Sequence, residues 1–449
     1  MVCAIAAKAN LSVYDLNKPF GWVNCTSQTS GDSYETTGGG NGSKITLTST
    51  GKDMKTEISN ALKNYDIIVF DGSEGDFILS SYIKMDKLKD KTLVGINGAR
   101  LCTEFYVTKE ITDLLDANKV PDMSTSGGGG TLPNGTKVTE EAEYMTRKLI
   151  MEHTGDTKEN YRNAGIFYIS GCSNIVVRNL KFVGPGSIDV GGSDLLSSVN
   201  GTTHLWVDHC EFTDGQDGNF DITQKSDFVT VSWCKFSYTD RSYMHQNTNL
   251  IGSSDSSTAD EDLLNVTFAF NIWGAKCRAR MPMGRFGTIH MLNNYYDCAG
   301  NATACINPRK NSEFLIEGNF FAKGVTKIFD QKDAKAYNWT SDNFTTEKFS
   351  PQNKGTVIMP YEYSIVEAIL LPEILTGENG AGATLSDPLS MTGTSDLSLP
   401  ISSNGGERIY DICGRQVKSI SHPGIYIIGG KKVVIQQTIT AQYHTGISR

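Results

Sequence analysis

Three stretches decide the fold: Ile175-Val-Val-Arg-Asn-Leu-Lys-Phe182, Leu205-Trp-Val-Asp-His-Cys-Glu-Phe212 and Val229-Thr-Val-Ser-Trp-Cys-Lys-Phe236. Each opens on apolar and polar residues in alternation, the period of a strand with one buried face. Each then turns a corner into a second short strand that ends on an aromatic ring. The outline returns at Val266-Thr-Phe-Ala-Phe-Asn-Ile-Trp273, Ile289-His-Met-Leu-Asn-Asn-Tyr-Tyr296 and Phe314-Leu-Ile-Glu-Gly-Asn-Phe-Phe321. The shortest intervals between copies are about 23 to 25 residues, a solenoid's period. One such pattern per coil, stacked in register, predicts an all-β chain folded as a parallel β-helix. Longer intervals, such as the one from Asp240 to Leu264, read as loops inserted on one face.

One position of the repeat holds Cys210, Cys234, Asn271, Asn294 and Asn319. An inward asparagine at a coil bend can hydrogen-bond the asparagine of the next coil, which satisfies polar groups that are costly to bury alone. Cys210 and Cys234 then read as stacked core residues, with a disulfide between them possible but not required. Cys298 and Cys305 lie close enough in sequence for a local disulfide. No C-x-x-C pair occurs among the ten cysteines, which argues against a zinc site.

A solenoid needs its apolar ends covered. Asp53–Lys63 reads as a short amphipathic helix suited to that task, among strands at Lys44–Thr48, Ile67–Phe70 and Thr92–Ile96. The Gly127–Gly130 tract belongs to a long insertion, and a helical stretch at Ser364–Leu375 is expected to pack back along the coils. Residues 1–9 read either as a signal-peptide remnant ending on Ala7-Lys8-Ala9 or as a frayed terminus. Residues 10–385 form the solenoid body. The Ser, Thr, Gly and Pro of 386–406 make a linker, and 407–449 form a small module of paired β-hairpins. That module resembles the C-terminal sorting-type modules of Bacteroidetes secreted proteins, which implies export or attachment.

The net charge of −9 argues against nucleic acid as the main partner. It leaves a polyanionic ligand open, because a bound divalent cation or an arginine cluster reverses the local sign. No stretch is long and apolar enough to span a membrane.

Three features carry chemistry. Asp194 stands about one coil period from the pair in Asp217-Gly-Asn-Phe-Asp221, so stacking brings the carboxylates within a few ångströms, near the ~4.8 Å strand spacing. Three aspartates on one groove could hold calcium, which takes oxygen ligands in flexible geometry. Taken alone, aspartates beside Gly-rich turns are more often solvated turn-formers. The run Arg280-Met-Pro-Met-Gly-Arg285 and the single Arg241 complete the set. Asp208-His209, inside the second repeat, reads as a stacked structural pair.

Taken jointly, Thr36-Thr-Gly-Gly-Gly-Asn-Gly42, Trp206-Val-Asp-His209, Asp217-Gly-x-x-Asp221-Ile, Val229-Thr-Val-Ser-Trp233 and Arg280-x-Pro-x-x-Arg285 resemble the pectate lyase family, polysaccharide lyase family 1, from about Gly21 to Thr384. The resemblance implies a right-handed parallel β-helix, secreted or at the cell surface or in the periplasm and monomeric, that cleaves polygalacturonate by calcium-assisted β-elimination. It implies Asp194, Asp217 and Asp221 as calcium ligands, Arg280 as the catalytic base, and Arg285 as a support of the substrate site. Arginine as a base sits awkwardly with an intrinsic pKa above ~12; that role comes from the family.

Two positions depart from the family pattern. Gly192 stands where a further aspartate is usual, and Arg241 where pectate-cleaving members place lysine. The second departure matches relatives that cut methyl-esterified pectin without calcium, although those generally lose the aspartates kept here. Pectin lyase is therefore the rival reading, and a non-catalytic β-helical carbohydrate-binding or adhesion protein the more distant one.

Overall fold

A computed structural model describes residues 15–29, 33–121, 126–188, 190–346, 349 and 351–390, with the strand backbone of 409–411, 416–417, 424–428 and 431–435. Residues 1–9, and the linker beyond residue 390, lie outside the described residues. Among the described residues the solenoid strands form three parallel sheets of ten, nine and seven strands. Each regular coil contributes one strand to each sheet, as Ser173–Arg178, Lys181–Val183 and Leu196–Val199 do in turn.

The register follows the repeat. Ile175, Leu205, Val229, Val266, Ile289 and Phe314 are successive partners across the ten-stranded sheet. Past the first bend, Phe182, Phe212, Phe236, Trp273, Tyr296 and Phe321 stack with centroids 4.3 to 5.7 Å apart, and Trp339 of the ten-stranded sheet closes the column on Phe321 at 5.5 Å. Such ring pairs contribute about 0.5–1.5 kcal/mol each beyond the area they bury.

The asparagine ladder runs along the same bend. Asn271 Nδ2 donates to Asn294 Oδ1 at 3.0 Å, and Asn294 and Asn319 pass the pattern on at 2.9 Å to Asn319 and Asn343. Asn343 extends it by one rung beyond the sequence repeat. Cys234 receives the other end, its N–H donating to Asn271 Oδ1 at 2.9 Å, and the Cys210 N–H in turn meets Cys234 Sγ at 3.5 Å. Both cysteines are buried free thiols, as are Cys298 and Cys305, whose sulfurs touch at 3.8 Å without a bond.

The cap is the α-helix Lys55–Asn64, with Met54, Ile58, Ala61 and Leu62 sealing one end of the core. Gly127–Gly130 falls within the strand Ser126–Thr131, which pairs antiparallel with Lys137–Glu140 in the insertion. The C-terminal helix is shorter than the sequence suggests: a 3₁₀ turn at Ala368–Leu370, then Leu371–Thr376. Pro372 lacks an N–H, which the first turn of a helix does not need, so it sits at the helix start. The segment packs on Trp233, Phe270 and Leu292 on the outside of the coils. Farther on, Ile409–Asp411, Gln416–Val417, Gly424–Ile428 and Lys431–Ile435 form an antiparallel sheet of their own.

Candidate active site

The seven-stranded sheet is the floor of the site. Loops entering it from the nine-stranded sheet form one wall, and loops leaving it form the other. Across the floor, Tyr168, Ser197 and Asp221 are successive partners, and the row continues through Leu250 and Met283. Asp221 projects outward from Phe220–Ile222 between two buried neighbours. Asp194 and Asp217 come from the loops that lead into Leu196–Val199 and Phe220–Ile222.

Two of these carboxylates, Asp194 and Asp221, close on the position of a glycine. A Cβ on Gly218 would stand 2.8 Å from Asp194 Oδ1, 3.2 Å from Asp221 Oδ1 and 3.7 Å from the Asn247 carbonyl oxygen. Asp194 Oδ2 accepts from Ser197 Oγ at 2.9 Å, whereas its Oδ1 is buried without a hydrogen-bond partner. Burial pushes the Asp194 carboxyl well above the usual range, and the charges of Asp221 and Asp217 add to this. Asp221 is pushed up to about 7, by burial first and with Asp217 adding, against the pull of Arg280. For Asp217 burial also works upward. His245, whose Nε2 sits 2.9 Å from Asp217 Oδ1, outweighs it together with Arg280 and Arg162, so the net direction is down.

Arg280 opens the coil that carries Met283–Gly284, with its backbone in the left-handed region at φ 56. Its carbonyl accepts from the Asn249 N–H at 2.7 Å, and its charge acts on Asp194, Asp217 and Asp221 alike. Arg285 lies on the opposite wall: Nε meets Asp255 Oδ1 at 2.5 Å and Nη1 donates to the Gly252 carbonyl at 2.7 Å. Arg241 shares the wall of the aspartates. Its guanidinium carbon rests 4.5 Å from the Tyr106 ring centre, and Nη1 donates to the Gly184 carbonyl at 3.2 Å. The structure thus gathers Asp194, Asp217, Asp221 and Arg280 into one electrostatic unit, with Arg241 and Arg285 held at its margins.

Two tests bear on a hard cation here. The donor set is all oxygen, as calcium prefers, and the orphaned Asp194 Oδ1 beside the Gly218 gap is a cradle that a cation would satisfy. Among the described residues no three His, Cys, Asp or Glu side chains already meet as a metal cluster. The fit therefore rests on the cradle and on the crowding of like charge, which a cation relieves.

Gly192 has its own explanation. A Cβ there would lie 2.1 Å from Gln216 Oε1. Gln216 is fully buried; its Nε2 donates to the Tyr161 carbonyl at 2.9 Å, and its Oε1 accepts from the Ser193 N–H at 3.4 Å. The space an aspartate would need is filled by glutamine. Sequence reasoning missed His245, Arg162 and Gln216, all from loops of unequal length; only adjacency in space marks them.

Fold and groove together define a parallel β-helix with an acidic, arginine-flanked pocket on one face. The chain belongs to the pectate lyase family, whose model, described as pectate lyase, matches residues 143–383. It is 31% identical over 236 residues to probable pectate lyase B of Aspergillus terreus, covering 49% of this chain and 67% of that protein. It is 28% identical over 298 residues to a pectate trisaccharide-lyase of a Thermotoga species, covering 65% of this chain and 60% of that protein. The chain spans about half to two thirds of the length of such curated relatives. Among solved structures, a pectate lyase of Bacillus sp. N165 in complex with trigalacturonate superposes with a TM-score of 0.51 at 17% identity. That match covers 82% of this chain and 99% of the other and supports the fold.

Proposed function

We propose that this protein is a polysaccharide lyase that cleaves α-1,4-linked polygalacturonate by calcium-assisted β-elimination, releasing unsaturated oligogalacturonides. The observation that carries this reading is the gap at Gly218 walled by Asp194, Asp221 and the Asn247 carbonyl, with the Arg280 charge acting on Asp194, Asp217 and Asp221. Asp194, Asp217 and Asp221 would hold the ion. When bound, it supplies positive charge that neutralises a substrate carboxylate and makes the neighbouring carbon-5 hydrogen more acidic.

The chain's own residues do the rest. In its neutral guanidine form Arg280 takes the carbon-5 proton; the electron pair of that bond forms the double bond to carbon 4, and the glycosidic oxygen leaves carbon 4 with the adjoining sugar, taking up a proton from solvent. His245 fixes Asp217 through its 2.9 Å contact. Arg285, tied to Asp255 and Gly252, positions the opposite wall. Arg241, on the wall of the aspartates, meets substrate carboxylates at the margin. The same reading makes the protein secreted, cell-surface or periplasmic, and monomeric, with residues 10–385 as the catalytic body and 407–449 as a sorting or attachment module; no described helix is long and apolar enough to cross a membrane.

The test compares polygalacturonate with highly methylated pectin, each with calcium and with chelator, following the ultraviolet absorbance of the unsaturated product. Calcium-dependent product from polygalacturonate is expected. Undiminished activity on methylated pectin in chelator would replace this reading with pectin lyase, and saturated products would exclude elimination.

A further inference from the structure

The insertion that leaves the solenoid after Thr103 returns to it at Asn163, and its return is rigidly held. Arg147 on helix Glu141–Thr154 binds Glu159 Oε1 through Nε and Glu143 Oε1 through Nη1, both at 2.6 Å. This anchors the turn Asn160–Asn163, which presents Arg162 to the groove. Arg162 donates from Nε to the Val190 carbonyl at 2.9 Å and from Nη2 to the Gly191 carbonyl at 2.6 Å. Nη2 also lies 3.9 Å from Glu143 Oε1, which Arg147 shares, and among the described residues Nη1 has no hydrogen-bond partner. Beside it opens a cleft of roughly 280 Å³, lined by Tyr82, Arg162, Asn163 and Tyr168 and reaching Asp194 and Ser197.

We propose that this cleft is a subsite for one uronate residue of the substrate chain, beside the aspartate pocket on the N-terminal side of the coil stack, with Arg162 as its carboxylate anchor. The proposal rests on the polygalacturonate reading and adds a residue that sets chain-length preference. Tyr168 and Ser197 are register partners, and Ser197 is in turn the partner of Asp221, so the cleft lies directly in line with the aspartates along the floor. Its volume falls just below that of typical ligand clefts, ~300–1,000 Å³, which suits a single sugar ring. Tyr82 and Tyr168, with centroids 5.7 Å apart, present aromatic faces with polar tips, the surface a pyranose ring meets well. An arginine already fixed through two of its nitrogens gives up little freedom when a carboxylate meets the third. Its charge already acts on Asp217, so it belongs electrostatically to the pocket.

Binding of hexagalacturonate is measured by calorimetry with calcium present, in Arg280→Ala protein so that no turnover intervenes, alongside steady-state kinetics in the otherwise native enzyme. Adding Arg162→Ala is expected to weaken hexagalacturonate binding about tenfold. In the active enzyme it should raise KM for the hexamer by a larger factor than it lowers kcat on long polymer, with partial recovery in Arg162→Lys. Tyr168→Ala should loosen binding similarly and Tyr168→Phe should not, which separates a sugar-binding role from mere support of the 190–191 loop. Equal affinities with and without Arg162 would overturn the subsite. Absence of unsaturated product from the native enzyme would instead overturn the lyase reading on which it stands.

Discussion

The two bends of the coil that flank the nine-stranded sheet are built on opposite rules. At the first, between the ten- and nine-stranded sheets, every coil turns alike, and Asn271, Asn294, Asn319 and Asn343 satisfy one another. At the second, the loops 184–195, 214–219, 238–249 and 274–282 differ in length and path. There a buried oxygen of Asp194 lacks a partner, and burial and like charge hold Asp194 and Asp221 above their ordinary range. The regular bend removes unsatisfied polarity; the irregular one concentrates it where a cation and a polyanion can use it. The solenoid can sustain the strained side because the satisfied side holds the stack.

If that division holds, the largest effect of any single change falls at the second bend and leaves the fold intact. Arg280→Ala should lower kcat on polygalacturonate about a thousandfold, the range for a lost proton-transfer group. Its melting temperature should stay near that of the parent, since Arg280 is only half-buried and outside the core. Retained turnover would show that the proton goes elsewhere.

The converse break lies at the first bend. Asn294→Ala removes the acceptor of the Asn271 N–H and Nδ2, and the donor to Phe268 O and Asn319 Oδ1. Orphaned buried groups cost about 1–3 kcal/mol each, so denaturant unfolding should report a loss of about 3–5 kcal/mol. Under stabilising conditions kcat should be unchanged. An effect on turnover equal to that on stability would erase the distinction between the bends.

Much of the first bend was legible in the sequence, because its chemistry repeats with the coil. Phe182 to Phe321 and Cys210 to Asn319 can be read as columns from spacing alone. Asn343 could not, since the last coil shortens and the strand Ala336–Trp339 no longer follows the apolar pattern of its predecessors. At the second bend the sequence offered Asp194 and, about one coil on, Asp217 and Asp221, with Arg280 about two coils beyond them. It did not offer His245, Arg162 or Gln216, whose positions depend on loop paths that spacing does not encode. Arg241 illustrates the same limit: position in a motif brought it forward, and the loop path laid its guanidinium on Tyr106.

The third bend, from the seven-stranded sheet back to the ten-stranded one, supplies an intermediate case. Asp227 is buried, and its Oδ1 accepts the N–H groups of Phe228 and Asn265 and the Asn265 amide. Burial outweighs those bonds and pushes its carboxyl up to about 6. The folded value lies above the unfolded one, near ~3.9, so the folded state holds the proton more tightly. Its contribution to stability is then intact below about pH 4 and is lost as pH rises through 6. Asp227→Asn keeps an acceptor and removes the charge. It should match the parent near pH 4 and exceed it by about 1–3 kcal/mol at pH 8, measured by unfolding at both values. Equal stabilities at pH 8 would mean that Asp227 is adequately compensated as a carboxylate.

The smallest expected effect concerns the departure at Gly192. If the second bend needed only more carboxylate, Gly192→Asp should tighten divalent-cation binding. The geometry says otherwise, because the new Cβ would meet Gln216 Oε1 at 2.1 Å and displace a buried side chain bonded to Tyr161. Alone, the substitution should lower the melting temperature and leave calcium affinity, read by calorimetry, unimproved. Combined with Gln216→Ala, which vacates the space, it should strengthen calcium binding several-fold, since each added carboxylate ligand raises affinity for a hard cation. Tighter binding by the single variant would show that Gln216 yields easily, and that Gly192 reflects a choice of weak calcium binding rather than a steric consequence of the glutamine behind it.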